Sequence, residues 1–193
     1  MPTLEERVQR LEDIEGIRRL KVRYAGFADA QYDPDGLASC FTDDAVWDGG
    51  SDFGVHQGKQ AIRTFFAGVS KQITFALHYM IGHAIDIAPS GHEASGTWYL
   101  FVPATMNGRA VWMAATYNDR FRKVGGQWLF SQVKVNVAFM TLTRRAGYRS
   151  ASSAASRQRG NIIGPRGEAE TRDNRSCMVR CTRRLSLAVS SPA

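Results

Sequence analysis

The sequence predicts an α+β fold, with helices in the first third packed against a meander of long antiparallel strands. Three observations carry this. Apolar residues recur at steps of three and four from Leu4 to Phe27. Beyond about residue 73 the period changes to aromatic and β-branched strand-like runs. Tight-turn signals separate those runs. Helices first and strands after is the order of an α+β domain whose helices cover one face of a curved sheet.

The first element is a helix of about 25 residues, its stripe made by Leu4, Val8, Leu11, Ile14, Ile17, Leu20, Tyr24 and Phe27. Thr3 and Glu6 have capping-box spacing at its start. Asp33-Pro34-Asp35-Gly36 is a turn, and Pro34 suits the first turn of a short helix ending near Phe41. Ala45-Val46-Trp47 reads as a short strand and Gly49 to Asp52 as a loop. Lys59 to Val69 carries Ile62, Phe65, Phe66 and Val69 at helical spacing. Four long strands follow, at 74–88, 94–105, 109–123 and 127–143. Asn107-Gly108 is a strong two-residue hairpin signal, and Gly125-Gly126 and Pro89-Ser90-Gly91 are further turns, not phosphate-binding loops.

The chain has 193 residues, enough for one domain with a sizeable core. Its formal charge of +7 would ordinarily point to nucleic acid, but the distribution argues otherwise. Residues 144–193 carry 11 Arg, no Lys and 3 acids, so residues 1–143 are close to neutral. The expectation is one α+β domain over 1–143 and an Arg-rich, disordered tail over 144–193. Arginine without lysine in such a segment reads as out-of-frame translation of a GC-rich gene, with a nucleic-acid-binding tail as the functional alternative. Cys40, Cys177 and Cys181 form no disulfide framework, and Cys177 with Cys181 stands alone as a metal motif. A charged N-terminus and the lack of a long apolar run lead to the expectation of a soluble cytoplasmic protein without nucleic-acid or membrane partners.

The chemistry concentrates in Tyr24, Asp29 and His78. An aspartate that orients a histidine and stabilises its charge is the minimum equipment of a general base, and imidazole ordinarily titrates near neutrality. Strand alternation puts Ala76, His78 and Met80 on one face and Leu77, Tyr79 and Ile81 on the other. Asp29 sits in an otherwise apolar Ala-Gly-Phe-Ala-Asp-Ala stretch, where a desolvated carboxylate is unusual unless paired. Tyr24 and Asp29 lie about 140° apart on an ideal helix, so they can only flank a pocket wrapped around the helix end. His83, five positions beyond His78, is expected to face the other way and to be structural, and His56 and His92 read as loop or edge residues. No His pair has metal-ligand spacing backed by carboxylates, so no metal and no cofactor is expected. Candidate pocket residues are Tyr32, Trp98, Phe101, Met113 and Arg120. Phe139 and Met140 are further large apolar groups on the strands. Arg120 and Arg122 share a face.

Several motifs in order complete the reading: Tyr24-Ala-Gly-Phe-Ala-Asp29, Phe41-Thr-Asp-Asp-Ala-Val-Trp47, Gly58-Lys-Gln-Ala-Ile62, Leu77-His-Tyr79 and Gly126-Gln-Trp-Leu-Phe130. Over residues 1 to about 143 the chain resembles the SnoaL-like branch of the nuclear-transport-factor-2-like superfamily. It is most similar to the group of bile acid 7α-dehydratase, scytalone dehydratase and hexachlorocyclohexane dehydrochlorinase. There a Tyr and an Asp five residues apart meet a His 48 to 49 residues after the Asp, and here the steps are five and 49. The resemblance implies a cone-shaped curved mixed or antiparallel sheet enclosing an apolar pocket. It implies a hydrophobic, alicyclic or steroid-like substrate, loss of water or another leaving group such as HCl, and a homo-oligomer, a trimer being favoured. It also implies His78 as base, Asp29 as its support and Tyr24 as hydrogen-bond donor. The arginine that relatives use near the third long strand falls here on Lys123 or Val124, which argues against a dehydrochlorinase. Three other readings share the fold: a ketosteroid-isomerase or polyketide-cyclase type enzyme with an Asp base, a non-catalytic hydrophobic ligand-binding module, and a dioxygenase β-subunit relative.

Overall fold

The computed structural model describes residues 1–142. The Arg-rich tail, with Cys177 and Cys181, lies outside the described residues.

Helix α1 (Leu4–Asp29) is opened by the expected capping box. The Glu6 backbone N–H donates to Thr3 Oγ1 at 3.2 Å and the Thr3 N–H donates to Glu6 Oε2 at 2.8 Å. Such a cap contributes about 1 kcal/mol. The stripe buries only along its second half: Ile17, Leu20 and Tyr24 are closed off, whereas Leu4, Val8 and Leu11 stay exposed. At 1.5 Å per residue a helix of 26 residues is roughly 39 Å long, and its first turns reach past the sheet.

Helix α2 (Pro34–Ser39) starts at Asp33, whose side chain accepts from the Asp35 N–H, and stops short of Phe41 because the chain there enters a strand. That strand, β1 (Phe41–Asp48), is longer than expected. The stretch read as a loop after Gly49 is a single helical turn, α3 (Gly50–Phe53), followed by an edge strand not foreseen, β2 (Val55–Gln57). Helix α4 (Lys59–Val69) occupies its expected span.

The strand expected over 74–88 is two strands, β3 (Ile73–Ala76) and β4 (Tyr79–Ile87). Both pair with β5 (Glu93–Met106), β3 against residues 104–106 and β4 against residues 94–101. His78 lies in the break because its N–H leaves the ladder for an Asp29 carboxylate oxygen, at 2.9 Å. Strands β6 (Arg109–Val124) and β7 (Gln127–Leu142) complete the meander. Asn107 and Gly108 turn β5 into β6 with φ of 49° and 72°, the left-handed pair that a two-residue hairpin of this twist requires.

The seven strands form one sheet in the order β2-β1-β7-β6-β5-β3, with β4 also on β5. β1 runs parallel to β7 and the other pairs are antiparallel. The sheet is curled, its concave face closed by the helices, as expected of the fold class. Along β6, Val111, Ala115, Tyr117, Asp119 and Phe121 are buried on that face while Trp112, Asn118 and Arg120 are exposed on the other. The convex face also leaves Tyr79, Ile81, Tyr99 and Phe139 exposed.

A bulge between Ile81 and Ala84, at Gly82 with φ of 59°, shifts the alternation of β4 by one residue. His83 therefore does not face away from the helices as simple alternation predicts. Its Nε2 accepts from Arg18 Nε of α1 at 2.8 Å.

Candidate active site

The C-terminal end of α1 and the break between β3 and β4 meet at one carboxylate. Asp29 Oδ1 accepts two hydrogen bonds from the same residue, from the His78 backbone N–H at 2.9 Å and from His78 Nδ1 at 2.7 Å. The histidine side chain is 6% exposed and the aspartate 29%. A carboxylate oxygen can only accept, so Nδ1 carries a proton, and in the neutral tautomer this selects the lone pair is on Nε2. His78 lines the cavity between the sheet and the helices.

Tyr32 fixes the imidazole from the side. Its ring meets His78 edge-on at 5.7 Å between centroids and stacks on Phe66 at 6.1 Å. Gln31 and Tyr32 bring this about with φ of 57° and 56°, a left-handed step that costs non-glycine residues about 1–2 kcal/mol each. Local strain of this kind collects where a side chain must be aimed.

Tyr24 is buried in the same wall. Trp47 Nε1 donates to its oxygen at 3.1 Å, and its hydroxyl is also hydrogen-bonded to that of Tyr117. Burial pushes its pKa well above the usual phenol value, more than those two bonds lower it, so the phenol stays neutral. Burial raises Tyr32 in the same way, with the Asp29 charge adding to it.

The cavity measures about 60 Å³ and is apolar, walled by Trp47, Phe65, Phe66, Val102, Val111 and Val135, with Met106, Met113 and Met140 also on its lining. Its polar groups are the phenols of Tyr24, Tyr32 and Tyr117 and the His78 imidazole. Among the described residues no Asp, Glu, Lys or Arg lines it. Among the described residues no cluster of three His, Cys, Asp or Glu forms a metal site. Nor is any described helix long and apolar enough to cross a membrane.

The structure thus gathers Tyr24, Tyr32, His78 and Met113 around one cavity, with Asp29 bonded to His78 but not on the lining. It does not bring three other candidates there. Trp98 is on the concave face but lies beyond the cavity, edge-on to Phe121 and beside His83. Phe101 has the outward parity of β5 and packs on Trp112, also outside. Arg120 is exposed on the convex face, and its neighbour Arg122 binds the Asp44 carboxylate at 3.1 Å. Lys123 is held at 2.5 Å by Asp13, which also accepts from Trp128 Nε1 at 2.9 Å. Burial would raise the Asp13 pKa, but the Lys123 and Trp128 bonds outweigh it and hold it low. His56 stacks on Phe65 at 4.0 Å and His92 lies in a turn, both as read.

Sequence reasoning missed Trp47 and Tyr117 as neighbours of Tyr24, and it missed a buried ion pair. Lys21 Nζ donates to Asp119 Oδ2 at 2.7 Å, with side chains 2% and 0% exposed. The signals were present. Lys21 interrupts the buried run of Leu20 and Tyr24, and Asp119 shares a strand face with Tyr117 and Phe121.

A family model for the SnoaL-like domain matches residues 9–134. Among curated proteins, none matches the chain by sequence. Solved structures do. A Novosphingobium aromaticivorans protein assigned by name only as an aromatic ring hydroxylase is 27% identical, with a TM-score of 0.64, covering 69% of this chain and 94% of its own. A type 2 hexachlorocyclohexane dehydrochlorinase, LinA, is 18% identical at a TM-score of 0.68 over 75% and 97%. A second N. aromaticivorans protein, assigned by name only to the scytalone dehydratases, is 20% identical at 0.64 over 72% and 93%. The last two likenesses are of fold.

Proposed function

The chain belongs to the SnoaL-like domain family, and on that premise we propose that it is a lyase of the dehydratase type. Its base is His78, supported by Asp29. The observation that carries the proposal is the 2.7 Å contact from His78 Nδ1 to Asp29 Oδ1 at the wall of an apolar cavity. In this reading His78 Nε2 takes a proton from a carbon next to, or vinylogous with, a carbonyl. The C–H electron pair becomes the new C=C bond as hydroxide departs, and the proton taken up by His78 passes to it, so that water leaves and the neutral base is restored. Asp29 stabilises the imidazolium. Tyr24 hydrogen-bonds the carbonyl or the leaving hydroxyl from a preplaced position in a water-poor site.

The cavity bears on substrate size. Room for a benzene ring is roughly 150 Å³, and the cavity here is about 60 Å³. A ligand enters by displacing flexible side chains, and Met106, Met113 and Met140 are the adaptable ones. Small cyclic hydroxy-ketones fit this arrangement more readily than steroids. The expected homo-oligomer, a trimer by resemblance, belongs to the same reading, with the exposed aromatic convex face as the available surface.

One observation favours a second reading, a double-bond isomerase. Among the described residues no cationic side chain lines the cavity to receive a departing anion, and proton transfer between two carbons releases none. Mass spectrometry of turnover on small hydroxy-ketones and hydroxy-ketosteroids, wild type against His78→Ala, decides between them. Loss of water that disappears in the variant supports the dehydratase. A product of unchanged mass supports the isomerase, and a fully active variant removes His78 from either mechanism.

A further inference from the structure

The ion pair of Lys21 and Asp119 has no part in the proton transfer above, yet it sits directly behind the phenol end of the cavity. Lys21 Nζ lies 3.3 Å from the centroid of the Tyr117 ring and 5.4 Å from that of Tyr24. Trp98 and Phe130 present their rings to it at 4.9 and 5.4 Å. Its one hydrogen-bonded acceptor is Asp119 Oδ2, and the other carboxylate oxygen, Asp119 Oδ1, is buried without a hydrogen-bond partner. Neither side chain lines the cavity.

Stability alone is a poor account of this arrangement. Two charges taken out of water fold no better, and often worse, than apolar residues of the same shape, and here one lone-pair group is left unsatisfied as well. A cation against the face of an aromatic ring, in contrast, draws on the electrons of that ring. The ring in question is Tyr117, whose hydroxyl is hydrogen-bonded to that of Tyr24, and both phenols line the cavity.

We propose that Lys21, held in place by Asp119, is a positioning residue that polarises the hydrogen-bonded Tyr117 and Tyr24 phenols and makes that end of the cavity selective for ligand oxygens carrying negative charge. Asp119 is the counter-ion that fixes the ammonium, and its charge also reaches Tyr24 and Tyr117. The ligand class is a neutral or weakly acidic ring whose oxygen becomes anionic on binding or in the reaction, an enol or a phenol, and not a carboxylate or phosphate carrying its own full charge in water. The proposal rests on reading Tyr24 as the donor.

The test uses phenol, 4-chlorophenol and 4-nitrophenol as probes of rising acidity, titrated into the full chain, with the absorbance of bound 4-nitrophenol reporting its ionisation. Wild type is expected to bind the series more tightly as acidity rises. The paired variant Lys21→Met/Asp119→Leu keeps the volume without leaving a lone charge. It is expected to lose at least fivefold in 4-nitrophenol affinity while phenol itself changes less than twofold. Should that variant fail to fold, Lys21→Met alone, with Asp119 free to take up a proton, is expected to flatten the series in the same way. A folded variant with the wild-type gradient overturns the proposal, and so does a wild type that binds none of the probes. Tyr24→Phe separates the two readings. If it flattens the gradient and the charge variants do not, Tyr24 stands as donor and Lys21 has no part. If it keeps the wild-type gradient, the donor reading itself fails.

Discussion

One oxygen of Asp29 receives both the backbone N–H and the ring Nδ1–H of His78, at 2.9 and 2.7 Å. The carboxylate therefore fixes the main chain of the histidine and the rotation of its ring together. Removing it loosens the base in two ways, whereas a carboxylate touching only the ring would set the tautomer alone.

Asp29→Asn follows from that geometry. An amide in this place can present nitrogen as well as oxygen, and Nδ1 no longer has a charged acceptor that fixes which ring nitrogen holds the proton. The expected loss in turnover is on the order of 10² to 10⁴, the range of a general base. The double variant with His78→Ala should be hardly worse than either alone, because the two act as a unit. Steady-state kinetics of the three variants check this, and fully additive losses would show that they act separately.

Asp119 gives the chain a pH signature. Burial pushes its carboxyl up to about 6, against the opposing pull of Lys21, from an ordinary value of 3.8. The folded state thus holds this proton more tightly than the unfolded chain does. Stability from the group is fully present below pH 3.8 and is lost as the pH rises through about 6. Wild type should lose ground against Asp119→Asn between pH 4 and 6, by no more than about 3 kcal/mol, and the difference should be flat above that. Denaturant unfolding of both proteins across this range is the measurement.

Gln31 stands in the left-handed region with φ of 57°. Glycine there relieves the strain but gives the unfolded chain more freedom. Gln31→Gly should gain about 0.5 to 1 kcal/mol of stability by denaturant unfolding while leaving the Tyr32 contact with His78 intact. A loss of stability would show that the Gln31 side chain contributes more than its backbone costs.

Much of this architecture was legible because it is periodic or local. The capping box at Thr3 and Glu6, the span of α4 and the Asn107-Gly108 hairpin are short-range features whose physics is complete within a few residues. The Asp29–His78 pairing was legible through spacing and resemblance together. What escaped was set by long-range partners. The strand over 74–88 breaks because Asp29 takes the His78 N–H out of the ladder. Gly82 inverts the facing of His83 because β4 bulges against β5. Trp98 and Phe101 looked equally suited to the cavity, and only the parity and depth of β5 separate them from Met113 on β6. Lys21 and Asp119 are 98 residues apart, and no local pattern announces their meeting.

The parallel pairing of β1 with β7 has a kinetic side. Val46 of the first strand finds Gln132 of the last described one, and Trp128 reaches back 115 residues to Asp13 on α1. A chain emerging from a ribosome presents the apolar side of α1 long before the strands that cover it exist. Contacts this distant in sequence make for slow closure. The cavity is walled in part by Val135 and Met140, so it has no bottom until synthesis is nearly through β7. Its chemistry arrives at the end of folding, in a single event with closure of the sheet.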